Sequence, residues 1–281
     1  MTYTVESLFD GFSFEATTKD VANRAGFAAK VAPHKIITVP YLPAETNEAR
    51  IAAVQTLVSG GFDAMPHFSA RRITSDVEFR TLLHGVAQAG AKRCLVIAGD
   101  PAQAMGPFSD SMRLIETGAF EKAGIKTLGI AGHPEGHSAM TRDESFVVLM
   151  RKCEGILKCG MSAEILTQFA FDADAVLRWL KELRLRGIFY PVRLGVAGPA
   201  SLKTLMRFAA LCGVASSASV IAKYGLSLTN LLGSSGPEKF IARLLTELTP
   251  EHGEVHLHFY PFGGTGKTLD WISEHLHKAR V

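Results

Sequence analysis

The sequence predicts an α/β fold, a single (β/α)8 barrel of the TIM type covering residues 1–281. Eight short apolar runs recur along the chain, amphipathic stretches separate them, and most runs end abruptly in a residue capable of chemistry. Apolar runs of this length between amphipathic segments are the sequence form of alternating β and α units. Closed barrels of such units take ~250 residues and carry their active sites at the C-terminal strand ends. An open doubly wound sheet is the alternative architecture.

Strands are expected at 11–15, 34–40, 62–68, 93–99, 127–132, 163–171, 189–197 and 255–262. The first run, Gly11-Phe12-Ser13-Phe14, stops at Glu15, and the fourth, Cys94 to Gly99, stops at Asp100. The fifth stops at His133-Pro134-Glu135-Gly136-His137, and the sixth runs into Gln168. Residues 46–58 set Ala49, Ile51, Ala52, Val54, Leu57 and Val58 mainly on one side of a helix. Residues 74–89 open with Thr74-Ser75-Asp76, good N-cap chemistry, and carry Val77, Phe79, Leu82, Leu83 and Val86. Helical patterns also cover 109–123, 142–159, 173–186, 200–211 and 267–278. The stretch 214–248 reads as an extra helical excursion before the last strand, broken around Gly233-Ser234-Ser235-Gly236.

Neither GxGxxG nor a complete P-loop follows any strand. The run Gly263 to Thr268 ends like a P-loop, but the required earlier glycine is Pro261. It reads as a glycine-rich turn into the last helix, whose open amides and Lys267 could hold an anion.

Composition narrows the class. Hydrophobic residues make up 47% of the chain and the net charge is +3, with opposite charges interspersed. No apolar stretch reaches the ~18–20 residues of a membrane span, and the N-terminus lacks the form of a secretory signal. The expected protein is cytoplasmic, with no membrane and no nucleic-acid partner. Cys94, Cys153, Cys159 and Cys212 form no CxxC pair and read as reduced core thiols.

Glu15, flanked by Phe12 and Phe14, is placed at a strand end against apolar surface, which raises a carboxyl pKa and suits it to donate a proton. A solvated strand-end glutamate is the plainer reading. Asp100 follows a small-residue turn, where it meets a ligand or caps a short helix. Gln168 is a neutral amide in an apolar strand, which is costly unless both its donor and acceptor are paired; it suits the edge of a pterin or pyrimidine. His67, His133 and His137 leave a metal-dependent barrel hydrolase open, although Pro134 and Gly136 break the helix that would align the last two. His256 and His258 share one face of the last strand and read as structural.

Ser13-Phe14-Glu15, Pro66-His67, Gly99-Asp100, Pro134-Glu135-Gly136-His137, Thr167-Gln168-Phe169-Ala170-Phe171-Asp172 and Phe208-Ala209 occur in order on successive units. Together they resemble the methylenetetrahydrofolate reductase family, over residues 11 to about 262. The resemblance implies an oxidoreductase that interconverts 5,10-methylenetetrahydrofolate and 5-methyltetrahydrofolate with NAD(P)H, through bound FAD. Glu15 would be the proton donor, with Asp100 beside it in the reaction. Asp100, Gln168, Phe208 and Phe262 would bind the folate. Tyr41, His67, Ala98, Gly99, Asp100, His133, His137 and Lys158 would line the flavin. No metal is implied, and a homo-oligomer, dimer or higher, is. The family pattern has an arginine where Ala98 stands, a tyrosine at His133 and a basic residue at Gly264. Direct hydride transfer without flavin is therefore the alternative within the family.

Overall fold

The computed structural model describes residues 3–23, 28–212 and 234–279. Eight parallel strands close into a barrel: β1 (Ser13–Glu15), β2 (Ile36–Val39), β3 (Asp63–Ser69), β4 (Arg93–Ile97), β5 (Thr127–Gly132), β6 (Ser162–Ala170), β7 (Val192–Ala197) and β10 (Val255–Tyr260). Every neighbour follows in sequence, and β10 closes the ring between β7 and β1. Each observed strand falls on one of the eight expected runs. Two further short strands, β8 (Ala200–Ser201) and β9 (Ser234–Ser235), pair antiparallel outside the barrel.

Helices cover Asn47–Ser59, Asp76–Gln88, Arg142–Lys158, Ala173–Leu185, Leu202–Leu211 and Thr265–Ala279, close to the amphipathic stretches. Their starts are fixed by side-chain caps: Thr46, Ser75, Asp172 and Ser201 each accept from a first-turn amide, and Thr141 forms a reciprocal capping box with Glu144. The expected 109–123 helix divides into Ser111–Glu116 and Ala119–Lys122, because Gly118 turns left-handed at φ 62°. Of the expected 214–248 excursion, Glu238–Glu247 is helical, and residues 213–233 lie outside the described residues. The Gly263–Thr268 run is a turn, with Gly264 at φ 106°, leading into the final helix.

Alternation along each strand sends one set of side chains to the helices and the other into the barrel. Outward residues such as Phe14, Ile37, Phe68, Val96 and Phe259 join the main core. Inward, Ile36, Met65, Leu95 and Leu166 form a separate apolar layer across the barrel. Gly129 on β5 makes room for it, since a Cβ there would stand 2.2 Å from Met65 Cε. Below that layer, at the N-terminal strand ends, Asp63, Arg93, Glu164 and Arg193 form an ionic girdle. Above it, side chains become polar, and the candidate site begins.

Candidate active site at the C-terminal rim

Glu15 ends β1 with Phe14 buried behind it in the core, and its own side chain is half-buried in the mouth. Burial, followed by the charges of Asp20 and Glu45, raises its pKa to about 7. The carboxyl is thus poised to hold or release a proton near neutrality. Tyr260, the last inward residue of β10, has its phenol pushed well up by burial and by Glu15 and Cys212, and its hydroxyl donates to the Thr167 carbonyl at 3.0 Å.

Cys212 joins these groups. Its thiol is pushed up to about 11 by desolvation and by the carboxylates of Asp100 and Glu15, while a hydrogen bond with Gln168 opposes the rise. Glu15, Asp100, Gln168, Tyr260 and Cys212 therefore face one another across the mouth. Asp100 is exposed and pairs with Arg72 at 2.9 Å. Gln168 turns its carbonyl oxygen back onto the Phe169 amide at 3.1 Å, which leaves its NH2 group to face the mouth. The Cys212 thiol is no core thiol, contrary to the expectation from cysteine spacing; it follows the Leu202–Leu211 helix at the rim.

The aromatic side of the mouth is built from β10 and that same helix. Phe208 stacks on Phe262 with centroids 4.1 Å apart and planes at 14°, and Phe262 meets Phe169 edge-on at 4.9 Å. One face of Phe208 is covered by Phe262, and the Arg207 guanidinium carbon lies over the same ring, 5.3 Å from its centroid.

The residues assigned to a flavin wall, Lys158 apart, fall in four places. His67 lies inside the barrel, 6% exposed, with burial lowering its pKa to about 3. The Ala98 carbonyl accepts the Arg71 amide, and Gly99 (φ 93°) packs so tightly on β3 that a Cβ would stand 2.1 Å from Ser69 Oγ. His133 and His137 meet edge-on with centroids 4.6 Å apart, and burial with His137 and Lys152 lowers the His133 pKa to about 4. Tyr41 instead stacks under Arg50, whose guanidinium carbon is 3.7 Å from the ring centroid.

Lys158 requires a correction. It sits exposed in the last turn of Arg142–Lys158, the end that leads into the start of β6, and so at the opposite end of the barrel from the mouth. The ammonium that reaches the rim from this helix is Lys152. It is half-buried, its pKa is lowered by burial and raised by Asp110, and it acts on both His133 and His137. No carboxylate stands within salt-bridge distance of Lys152 among the described residues. Among those residues no group of three His, Cys, Asp or Glu side chains could hold a metal ion, and no helix is long and apolar enough to cross a membrane.

A barrel whose rim gathers a proton-holding carboxyl, a polar amide and an aromatic stack has the layout of a (β/α)8 enzyme acting on a flat heterocyclic substrate. Residues 14–262 match the methylenetetrahydrofolate reductase family, and the chain belongs to that family. Among solved structures, an uncharacterized protein from Clostridium thermocellum that binds two copies of 5-methyl-5,6,7,8-tetrahydrofolic acid is similar at TM-score 0.61 and 12% identity, with 95% of this chain and 93% of that one covered. Dihydropteroate synthase from Thermus thermophilus is similar at TM-score 0.53 and 12% identity, covering 98% of this chain and 95% of that one. At these identities the likeness is one of fold.

Proposed function

We propose that this chain interconverts 5,10-methylenetetrahydrofolate and 5-methyltetrahydrofolate at the expense of NAD(P)H, in the cytoplasm, with FAD bound at the rim. The observation that carries the reading is Glu15, a half-buried carboxyl whose pKa is raised to about 7 at the end of β1. Family membership and the folate bound by the Clostridium thermocellum protein support the substrate class.

Glu15 donates its proton to N10 of the methylene compound. The C–N10 bond breaks with its electron pair passing to N10, and the five-membered ring opens to an N5 iminium. Flavin and nicotinamide, when bound, would supply the hydride chemistry at this carbon. Asp100 and the Gln168 amide bind the pterin edge, and the Phe208–Phe262 stack packs against the aminobenzoate ring. Lys152 fits the anionic part of the flavin, being a desolvated cation without a carboxylate partner among the described residues. His133 and His137 stand near it, and Arg71 acts on His137. Alignment of this kind lowers barriers by up to about 7–11 kcal/mol in the best intramolecular cases.

Glu15→Gln tests the role of the acid. NAD(P)H-dependent folate turnover is expected to fall about 10²–10⁴-fold while folate affinity is retained; full activity would remove Glu15 from the mechanism. Ala98 favours a second reading, direct hydride transfer without flavin, because the turn after β4 carries no guanidinium of its own; those of Arg71 and Arg72 reach it from the turn after β3. Absorbance near ~450 nm in the purified protein supports the flavin, and turnover by a colourless protein supports the direct route.

A further inference from the structure

Four side-chain atoms on β2, β3 and β10 are sealed from solvent without a hydrogen-bond partner: Thr38 Oγ1, His67 Nε2, Ser69 Oγ and His258 Nε2. All four residues occupy inward positions. Thr38 alternates with Ile36, His67 and Ser69 with Met65, and His258 with Tyr260. Strands β10 and β2 are the two neighbours of β1, and β3 follows β2. Among the described residues, β4 to β7 carry no such atom.

Register ties these atoms to the candidate acid. Glu15 pairs with Thr38 on one side of β1, and Ser13, two residues below, pairs with His258 on the other. Ser13 Oγ lies 2.9 Å from His258 Nδ1. Burial holds both imidazoles neutral, and His67 further opposes the protonation of His258. Each then offers one donor and one acceptor nitrogen, and Thr38 offers a hydroxyl that can do either. Buried polar atoms in proteins are nearly always hydrogen-bonded, through ordered water where protein partners are lacking.

We propose that Thr38, His67, Ser69 and His258 form a polar seam that holds ordered water against β1, and that through it Thr38 positions the Glu15 carboxyl. The proposal rests on the reading of Glu15 as the acid. A protonated carboxyl has one O–H to give and one carbonyl oxygen to satisfy. With that oxygen bonded from the seam below, the O–H is left to point at substrate in the mouth above. Hydrogen bonds of this kind favour the ionised form, so the seam opposes the upward push of burial, Asp20 and Glu45. Tyr260 from β10 and Cys212 from the rim also face Glu15, and Arg193 from β7 faces His258.

Infrared pH-difference spectroscopy of the full-length protein tests this without turnover, the carboxyl band being identified by its loss in Glu15→Gln. Thr38→Val is expected to move the band to higher wavenumber and its titration midpoint above the parent value of about 7, and Thr38→Ser to restore both. An unchanged band and midpoint in Thr38→Val overturn the seam. Should Thr38→Val not fold, a high-resolution crystal structure of the parent decides. Ordered water on Thr38 Oγ1 and His258 Nε2 is expected, and protein partners on those atoms overturn the proposal. Full folate turnover in Glu15→Gln would instead overturn the acid role, leaving the infrared result to be read on its own.

Discussion

At the foot of the barrel, Arg193 Nε lies 2.6 Å from Glu164 Oε1, with the two side chains only 7% and 5% exposed. Glu164 also receives Arg93 at 3.4 Å, while Arg93 bonds Asp63 at 2.6 Å and Arg193 donates to the Gly11 carbonyl at 2.7 Å. Glu164 is the shared anion of two guanidiniums.

Removing that anion therefore costs more than removing either cation. Glu164→Gln is expected to destabilise the protein by about 3–5 kcal/mol, the usual cost of breaking a buried pair. Arg193→Met should cost less, because Arg93 still meets Glu164. Urea unfolding of both variants checks the order, and equal losses would show that the network is not centred on Glu164.

The raised pKa of Glu15 makes stability depend on pH. Between the unfolded value of 4.5 and the folded value of about 7, the native state holds the extra proton. The stabilisation is complete below 4.5 and is lost as pH rises through about 7. Glu15→Gln has no such titration, so its melting temperature relative to the parent should climb across this window. A constant difference would mean that Glu15 is solvated as an ordinary surface glutamate.

Gly99 is held by two constraints, its φ of 93° and the 2.1 Å approach a Cβ would make to Ser69 Oγ. Gly99→Ala should lose more stability than the ~1–3 kcal/mol of a sparsely populated backbone conformation alone. Adding Ser69→Ala removes the hydroxyl and should recover the excess but not the backbone strain. Thermal melts of the single and double variants separate the two contributions.

Lys152 should matter to flavin and Lys158 should not. Lys152→Met is expected to weaken FAD binding about tenfold or more, as for loss of one charge-assisted hydrogen bond, whereas Lys158→Met should leave it unchanged. Fluorescence titration with FAD provides the measurement. Equal affinities in both variants would move the anion contact elsewhere.

These two lysines also show where sequence reading stops. Strands were legible because runs such as Leu95-Val96-Ile97 are buried on both faces, and their polar terminators mark the rim. The family resemblance that named Lys158 does not tell which lysine of a helix reaches the mouth. Lys152 and Lys158 are six residues apart, about 9 Å along a helix axis, and only the packed helix shows which one rises to the mouth. Cys212 escaped notice for a related reason: nothing local marks a thiol that follows a helix as facing a carboxylate from β1. Tyr260 could have been found, since it shares the inward parity of His256 and His258. The division at Gly118 was hidden because an apolar periodicity continues across the left-handed residue.

Between Leu166 and Phe169 the pairing of β6 with β7 slips, so that Thr167 and Gln168 together stand opposite a single residue of β7. Gly195 permits this: a Cβ there would come within 2.6 Å of the Thr167 carbonyl and 2.7 Å of Gln168. The extra residue frees that carbonyl for Tyr260 and sets how far the Gln168 amide projects. The setting of this amide is thus written partly on β7, at a position with no functional group. A methyl group added at Gly195 would be felt at the rim as a shift of the Thr167–Gln168 backbone, with every polar residue of the mouth still in its place in the sequence.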